Sequence, residues 1–185
     1  MTTETIDLDG LGLTYGDATQ KDGTVELGEI HLGGQDYTAS PAATAYRLDI
    51  SRTSTGYAMR LRFRVKLSGP CFRCLDPAEA NVNIDAREVD QPPVVMKRYA
   101  DEVEEDDDEQ SAAELLSPYV ADGILDLGAW AHDALILSLP NQILCRPDCA
   151  GLCAYCGESL NGAEPGAHDH GQDIDPRWSK LKEIR

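Results

Sequence analysis

The chain is short of positive charge. It has 16 Lys and Arg against 33 Asp and Glu, for a formal net charge of −17. Such a protein is repelled at long range by nucleic acid and by anionic membranes. Extensive direct binding of RNA or DNA is therefore disfavoured, and a basic protein partner is favoured; simple solubility is the plainer use of the same charge. A bilayer-length apolar run is also missing, which argues against a membrane-spanning helix. The first residues, MTTETID, lack the basic and apolar regions of a signal peptide. That predicts a cytoplasmic protein whose thiols stay reduced. There is no Gly-rich phosphate loop, no nucleophile elbow, no Ser/His/Asp cue and no internal repeat. Aromatic residues make up only 6%, although the hydrophobic share of 42% is enough for a core.

What the chain does have is clustered cysteine. Four of its six cysteines fall in CRPDCAGLCAYCG, residues 145–157, and the other two form CFRC at 71–74. His168 and His170 follow two residues apart. In a reducing compartment, closely spaced cysteines read as metal ligands or redox groups before disulfides. Zinc takes thiolate and imidazole in tetrahedral sites, and a Cys-x-x-Cys turn lets two sulfurs reach one ion. The ligands therefore suffice for two structural zinc ions. The favoured division is Cys71, Cys74, Cys145 and Cys149 in one site and Cys153, Cys156, His168 and His170 in the other. Two further divisions stay open. One joins Cys71 and Cys74 to Cys153 and Cys156, leaving Cys145, Cys149 and one or both histidines. The other builds a single C-terminal site and leaves Cys71 and Cys74 as free thiols. Spacing alone does not choose among them.

Along the chain, short strand-like pieces at 3–8 and 24–32 are broken by turns such as Gly33-Gly34. Tyr46, Leu48 and Ile50 share one face of a strand over 44–50. After a polar turn at 51–56 comes the strongest strand pattern, in which Met59, Leu61, Phe63, Val65 and Leu67 alternate with Arg60, Arg62, Arg64 and Lys66. Period two over nine residues could not bury one face of a helix. The two strands read as an antiparallel hairpin. Another strand, with Val82, Ile84 and Ala86 on one face, covers 81–89. Pro92-Pro93 ends this β-rich part, residues 1–96. Residues 97–110 hold a run of eight acids with no base among them. Such a block cannot collapse and is expected to be disordered.

Residues 111–144 are read as a helical segment. A short helix over 111–120 is limited by Pro118, and 124–125 is briefly extended. The main helix is capped by Asp126, presents Leu127, Trp130, Ala131, Ala134 and Leu135 on one face, and stops at Pro140. Residues 145–185 form a zinc-knuckle module closed by a short helix from Asp175-Pro176. The whole predicts an α+β fold, an antiparallel sheet packed by one main helix.

Other chemistry is weaker. A catalytic zinc needs an open position and a nearby base, and Asp169 or Asp173 would equally serve as a partner to a ligand histidine. CFRC has redox spacing but does not open a helix within a βαβ unit. Arg60, Arg62, Arg64 and Lys66 are candidate RNA or partner contacts, against pairing with Asp49, Asp85 or Glu88 across the strands. Arg73 could pair with thiolate charge or hold a partner.

Several motifs occur in order: Cys71-x-Arg73-Cys74-Leu75-x-Pro77, an acidic loop, Ile124-x-Asp126-Leu127, Leu139-Pro140, the 145–157 cysteine run followed by Leu160-Asn161, and Asp175-Pro176-Arg177-Trp178. Over residues 44–185 this resembles the YceD family of large ribosomal RNA subunit accumulation proteins, in its metal-binding bacterial form. The resemblance implies a cytosolic, non-enzymatic protein that supports 23S rRNA accumulation and large-subunit assembly. Its implied partners are ribosome-assembly components, a basic ribosomal protein or assembly factor, with the 23S rRNA precursor as a further candidate contact. Many relatives close the C-terminal module with Cys-x-Cys; His168-x-His170 stands at that place here and fits a Cys2His2 version. Other relatives lack much of the cysteine set, so the implied metal is structural. Residues 1–43 carry little of the resemblance.

Overall fold

A computed structural model describes residues 4–91 and 116–170. The acidic segment 97–110 and the helix expected from Asp175 lie outside the described residues. Two antiparallel sheets, a single α-helix and a short 3-10 turn at Asp9–Leu11 make up the described part, in keeping with an α+β fold.

The main sheet is antiparallel and built on β6 (Tyr57–Pro70), with strands distant in sequence lying side by side. Its alternation gives it two faces. Tyr57, Met59, Leu61, Phe63, Val65 and Leu67 are all buried, and the basic residues between them point the other way. β7 (Pro77–Asp90) pairs with β6 along its whole length, from Tyr57 opposite Asp90 to Pro70 opposite Pro77. The other side of β6 is shared. Its first half pairs with β5 (Ala43–Arg52) and its second half with β4 (Gln35–Ser40). β2 (Ala18–Glu26) and β3 (Glu29–Leu32) extend the sheet outward, β2 beside β5 and β3 beside β4. The extended piece expected over 24–32 is thus two strands, parted at Leu27-Gly28. Gly28 has φ 69° there, a left-handed conformation that glycine adopts without a Cβ penalty.

The small sheet links distant ends of the chain. β1 (Thr5–Asp7) pairs with β9 (Ile124–Asp126), which pairs with β8 (Val120–Ala121). The helix expected over 111–120 is absent from its described part. Ser117 to Tyr119 form a turn, with the Ser117 amide bonded to buried Asp90 at 3.1 Å, and Val120 enters β8. Pro118 has no amide to give a helix, and Asp90 captures the amide beside it.

The helix, α1 (Leu127–Ser138), begins as its cap predicts: Asp126 accepts from the Ala129 amide at 2.9 Å. Leu127, Trp130, Ala131, Ala134 and Leu135 are buried against β1, β2 and β7. After Leu139 turns extended, the chain runs back to the tip of the β6–β7 hairpin. There the Phe72 amide donates to the Ile143 carbonyl at 2.8 Å. That return brings the two cysteine-bearing segments together.

Candidate metal centres

The tip of the β6–β7 hairpin is itself the first cysteine pair. The Cys71 amide donates to the Asp76 carbonyl at 2.7 Å, and the Leu75 amide to the Cys71 carbonyl at 3.0 Å. This tight loop turns Cys71 and Cys74 toward the arriving Cys145 and Cys149. The four sulfurs lie within 4.8 Å of one another, with Cys71–Cys149 at 3.7 Å and Cys74–Cys145 at 3.5 Å. A tetrahedron of Zn–S bonds of about 2.3 Å puts its sulfurs about 3.8 Å apart, whereas a disulfide would hold two at about 2.05 Å. The separations therefore fit ligands of one ion. Cys71, Cys74 and Cys149 are buried and Cys145 is half-buried.

A second knuckle repeats the first. The Cys153 amide donates to the Glu158 carbonyl at 2.8 Å and the Gly157 amide to the Cys153 carbonyl at 2.9 Å. Gly157 has φ 73°, and Leu75 at the matching place has φ 65°. Cys153, Cys156, His168 and His170 offer atoms that all lie within 4.8 Å, including Cys156 Sγ to His168 Nδ1 at 3.4 Å. For a tetrahedral ion with one sulfur and one imidazole ligand that separation is about 3.6 Å. This set is more open than the first, with Cys156 and His170 exposed. Of the divisions open in the sequence, the folded chain brings together the favoured one.

The thiol electrostatics follow from crowding. Burial pushes the Cys71 thiol up, but the backbone amides of Cys145, Cys74 and Arg73 outweigh it and hold Cys71 down at about 6. Burial raises Cys74 and Cys145, and neighbouring thiols in the same cluster add to the rise. Amides of Cys156 and Tyr155 hold Cys153 down at about 6. Four thiols packed this closely cannot all ionise unaided; a divalent cation reverses that balance and deprotonates its ligands. With four protein ligands in each set, both arrangements are of the closed kind that holds structural zinc.

Around them, Arg73 turns inward and donates Nη1 to the Cys149 carbonyl at 3.0 Å. Cys74 Sγ lies 3.3 Å from Asp76 Oδ2. Asn161 reaches Cys149 Sγ with Nδ2 at 3.6 Å and accepts from the Ala150 amide at 2.8 Å. Sequence reasoning assigned neither Asp76 nor Asn161 a role of its own; Asp76 stood only beside a knuckle, and Asn161 figured only in the Leu160-Asn161 motif of the family resemblance.

The basic stripe on β6 is largely neutralised. Arg60 makes a two-pronged bond to Asp85 at 2.7 and 2.6 Å, Arg62 meets Asp49 at 2.5 Å, and Lys66 meets Glu79 at 2.7 Å. Arg64 has no acid partner among the described residues and stands opposite Asn83 in the register.

Residues 59–185 match the family described as Large ribosomal RNA subunit accumulation protein YceD. The chain belongs to the YceD family. Its match begins inside β6 and takes in all six cysteines, the His168 and His170 pair and α1. An uncharacterized protein of Mycobacterium tuberculosis is 40% identical over 116 residues, 63% of this chain and 49% of that protein. One from Mycobacterium leprae is 36% identical over 114 residues, 62% of this chain and 46% of that protein. A chloroplastic YCED homolog 1 of Zea mays is 25% identical over 174 residues, 83% of this chain and 59% of its own length. The chain thus spans about half the length of the first two relatives. No solved structure gives a significant match. Among the described residues no helix is long and apolar enough to cross a membrane.

Proposed function

We propose that this YceD-family chain is a non-enzymatic factor supporting 23S rRNA accumulation and large-subunit assembly in the cytoplasm, with two structural zinc ions. The observation that carries the reading is the match over residues 59–185 to a family of large ribosomal RNA subunit accumulation proteins. Two sets of four ligands, each within 4.8 Å, support the metal part. Cys71, Cys74, Cys145 and Cys149 would hold one ion; Cys153, Cys156, His168 and His170 would hold the other. Zinc has no redox chemistry of its own and in a closed site supplies a cross-link. Its task here would be to tie the β6–β7 hairpin to the segment after α1 and to close the chain beyond it. The net charge of −17 suits a basic ribosomal protein or assembly factor as partner.

Deletion of the gene, followed by ribosome profiles and precursor analysis, tests the assembly role. A shortage of large subunits with altered 23S precursor is expected; unchanged profiles refute it. Elemental analysis of protein purified without chelator tests the metal. Two zinc ions per chain are expected, and one would leave the two-site reading wrong.

A second reading, direct contact with the 23S rRNA precursor through the β6 face, draws on Arg64. Arg60, Arg62 and Lys66 already have acid partners, which leaves Arg64 as the one cation of the stripe open to phosphate. Arg64→Glu should then abolish crosslinking to rRNA in cells, and undiminished crosslinking removes this reading.

A further inference from the structure

The second knuckle sits in a hairpin of its own. Leu152 bridges Ser159, the Cys153 amide bonds Glu158 and the Leu160 amide donates to Gly151 at 2.8 Å. The returning arm ends at Asn161, which lies between Cys156 and His168 in sequence and so within the loop that the second cluster closes. Its side chain does not face that cluster. It reaches back to the first, with Nδ2 3.6 Å from Cys149 Sγ, while Oδ1 takes the Ala150 amide at 2.8 Å.

Four thiolates around one divalent ion leave two net negative charges in a buried place, and an N–H aimed at sulfur is one of the few ways to offset them. Arg73 supplies one such donor, its amide 3.5 Å from Cys71 Sγ, from within the first knuckle. Asn161 supplies another from the segment that the second cluster orders. Gly151, next to this link, has φ 82°, and a Cβ there would meet the Arg73 carbonyl oxygen at 3.3 Å. The two modules are therefore in close contact where Asn161 crosses.

We propose that Asn161 is a positioning residue that couples the two metal centres: a metal at Cys153, Cys156, His168 and His170 fixes the hairpin, and the fixed hairpin holds the Asn161 donor on Cys149. The proposal rests on the two-zinc reading and adds to it that the sites fill cooperatively. By linkage the coupling is reciprocal, each ion raising the affinity for the other by the same factor. Loss of such a supporting donor typically costs about 10- to 100-fold in metal affinity.

Cobalt(II) titration of the full chain tests this, because an all-thiolate cobalt site and a two-thiolate, two-imidazole site have separate absorption bands. Three variants are compared with the unaltered protein. Asn161→Asp keeps an oxygen for the Ala150 amide but has no donor for Cys149. His168→Ala with His170→Ala disables the second site and leaves Asn161 in place. The third variant combines all three changes. The Asp variant should bind cobalt about tenfold more weakly in the all-thiolate site, with the absorption maximum of the other site unmoved. Disabling the second site should weaken the all-thiolate site by a similar factor, and the combined variant should be no weaker than either. All-thiolate affinity indifferent to Asn161→Asp, or two losses that multiply, overturns the coupling while leaving two metal sites intact. No cobalt at either site overturns the two-zinc reading along with it. If Asn161→Asp shifts the maximum of the second site, Asn161→Ser, which is too short to reach Cys149, replaces it in the same cycle with the same expected losses.

Discussion

Gly56 and Gly157 look alike in the sequence but meet different demands in the fold. A Cβ on Gly56 would stand 1.8 Å from the carbonyl oxygen of Asp90, and backbone cannot swing aside. A Cβ on Gly157 would meet nothing within 4 Å; its demand is only φ 73°. Gly56→Ala should therefore force apart the β5–β6 turn and the end of β7 and destabilise the protein by about 2–3 kcal/mol, as overpacking does. Urea unfolding followed by far-UV circular dichroism would measure it. The matching place in the first knuckle already carries Leu75, with φ 65° and half its surface exposed, so the left-handed turn of a knuckle tolerates a side chain. Gly157→Ala should cost about 1–2 kcal/mol. From the sequence, the knuckle glycine was legible because it follows Cys-x-x-Cys. The Gly56 contact was not, since Asp90 is a distant residue and only the finished hairpin places it there.

At the scale of elements, β6 shows what alternation can and cannot reveal. Leu61 is fully buried in the middle of the sheet, so Leu61→Ala should cost about 3–4 kcal/mol in transfer and cavity terms. Asp85→Asn, on the opposite and exposed face, should leave the urea midpoint nearly unchanged at neutral pH. The pattern of Met59 to Leu67 made both faces legible from the residues alone, because a strand's side chains alternate whatever it pairs with. What β6 pairs with was not legible. One edge takes two partners in succession, β5 and then β4, and nothing local in β6 marks the change. The same holds for β1, whose partner β9 lies more than a hundred residues away. Helix α1 was legible because its cap and its apolar stripe are both local. Asp126→Ala, which removes the bond to the Ala129 amide, should lower stability by about 1 kcal/mol. For the cysteines, spacing named eight ligands but left three divisions open. Only the return of the chain from α1 to the hairpin tip, marked by the Phe72–Ile143 bond, brings Cys145 and Cys149 to Cys71 and Cys74.

The whole molecule has two layers of stability that should separate under acid, base and chelator. Asp22 and Asp85 are held below the usual carboxylate range. Gln20 and then Arg47 do this for Asp22, and Arg60 first of all for Asp85. Their folded values lie below the unfolded ones, so the small contribution of these exposed, solvent-screened pairs is present above about pH 4 and is lost as the pH falls through the depressed values. At the other end, burial raises Tyr37, Tyr57 and Tyr119, and burial together with Glu4 pushes Tyr46 up to about 12. A raised tyrosine favours its neutral form in the fold, so that stability is whole below pH 10 and declines as the pH climbs from there toward 12. Between these limits the sheet and α1 should hold, and the metal layer should fail first on chelation. Metal ligands must be deprotonated, and the second set exposes Cys156 and His170 whereas the first buries three of its four sulfurs. Adding EDTA at pH 7 to protein carrying two zinc ions should therefore release one equivalent quickly and the other slowly, as read by a zinc-sensitive dye. The β-sheet signal in far-UV circular dichroism should outlast both releases, because most of the buried cluster is the apolar side chains of β2, β5–β7 and α1, which Cys71, Cys74 and Cys149 only join where the 145–149 segment meets the hairpin tip. Lowering the pH from 7 to 6 should speed both phases, since protons compete for thiolate and imidazole. Release of both ions in one step with collapse of the sheet would mean that the clusters hold up the core, and the division of this molecule into a self-sufficient sheet and a metal-dependent extension would be wrong.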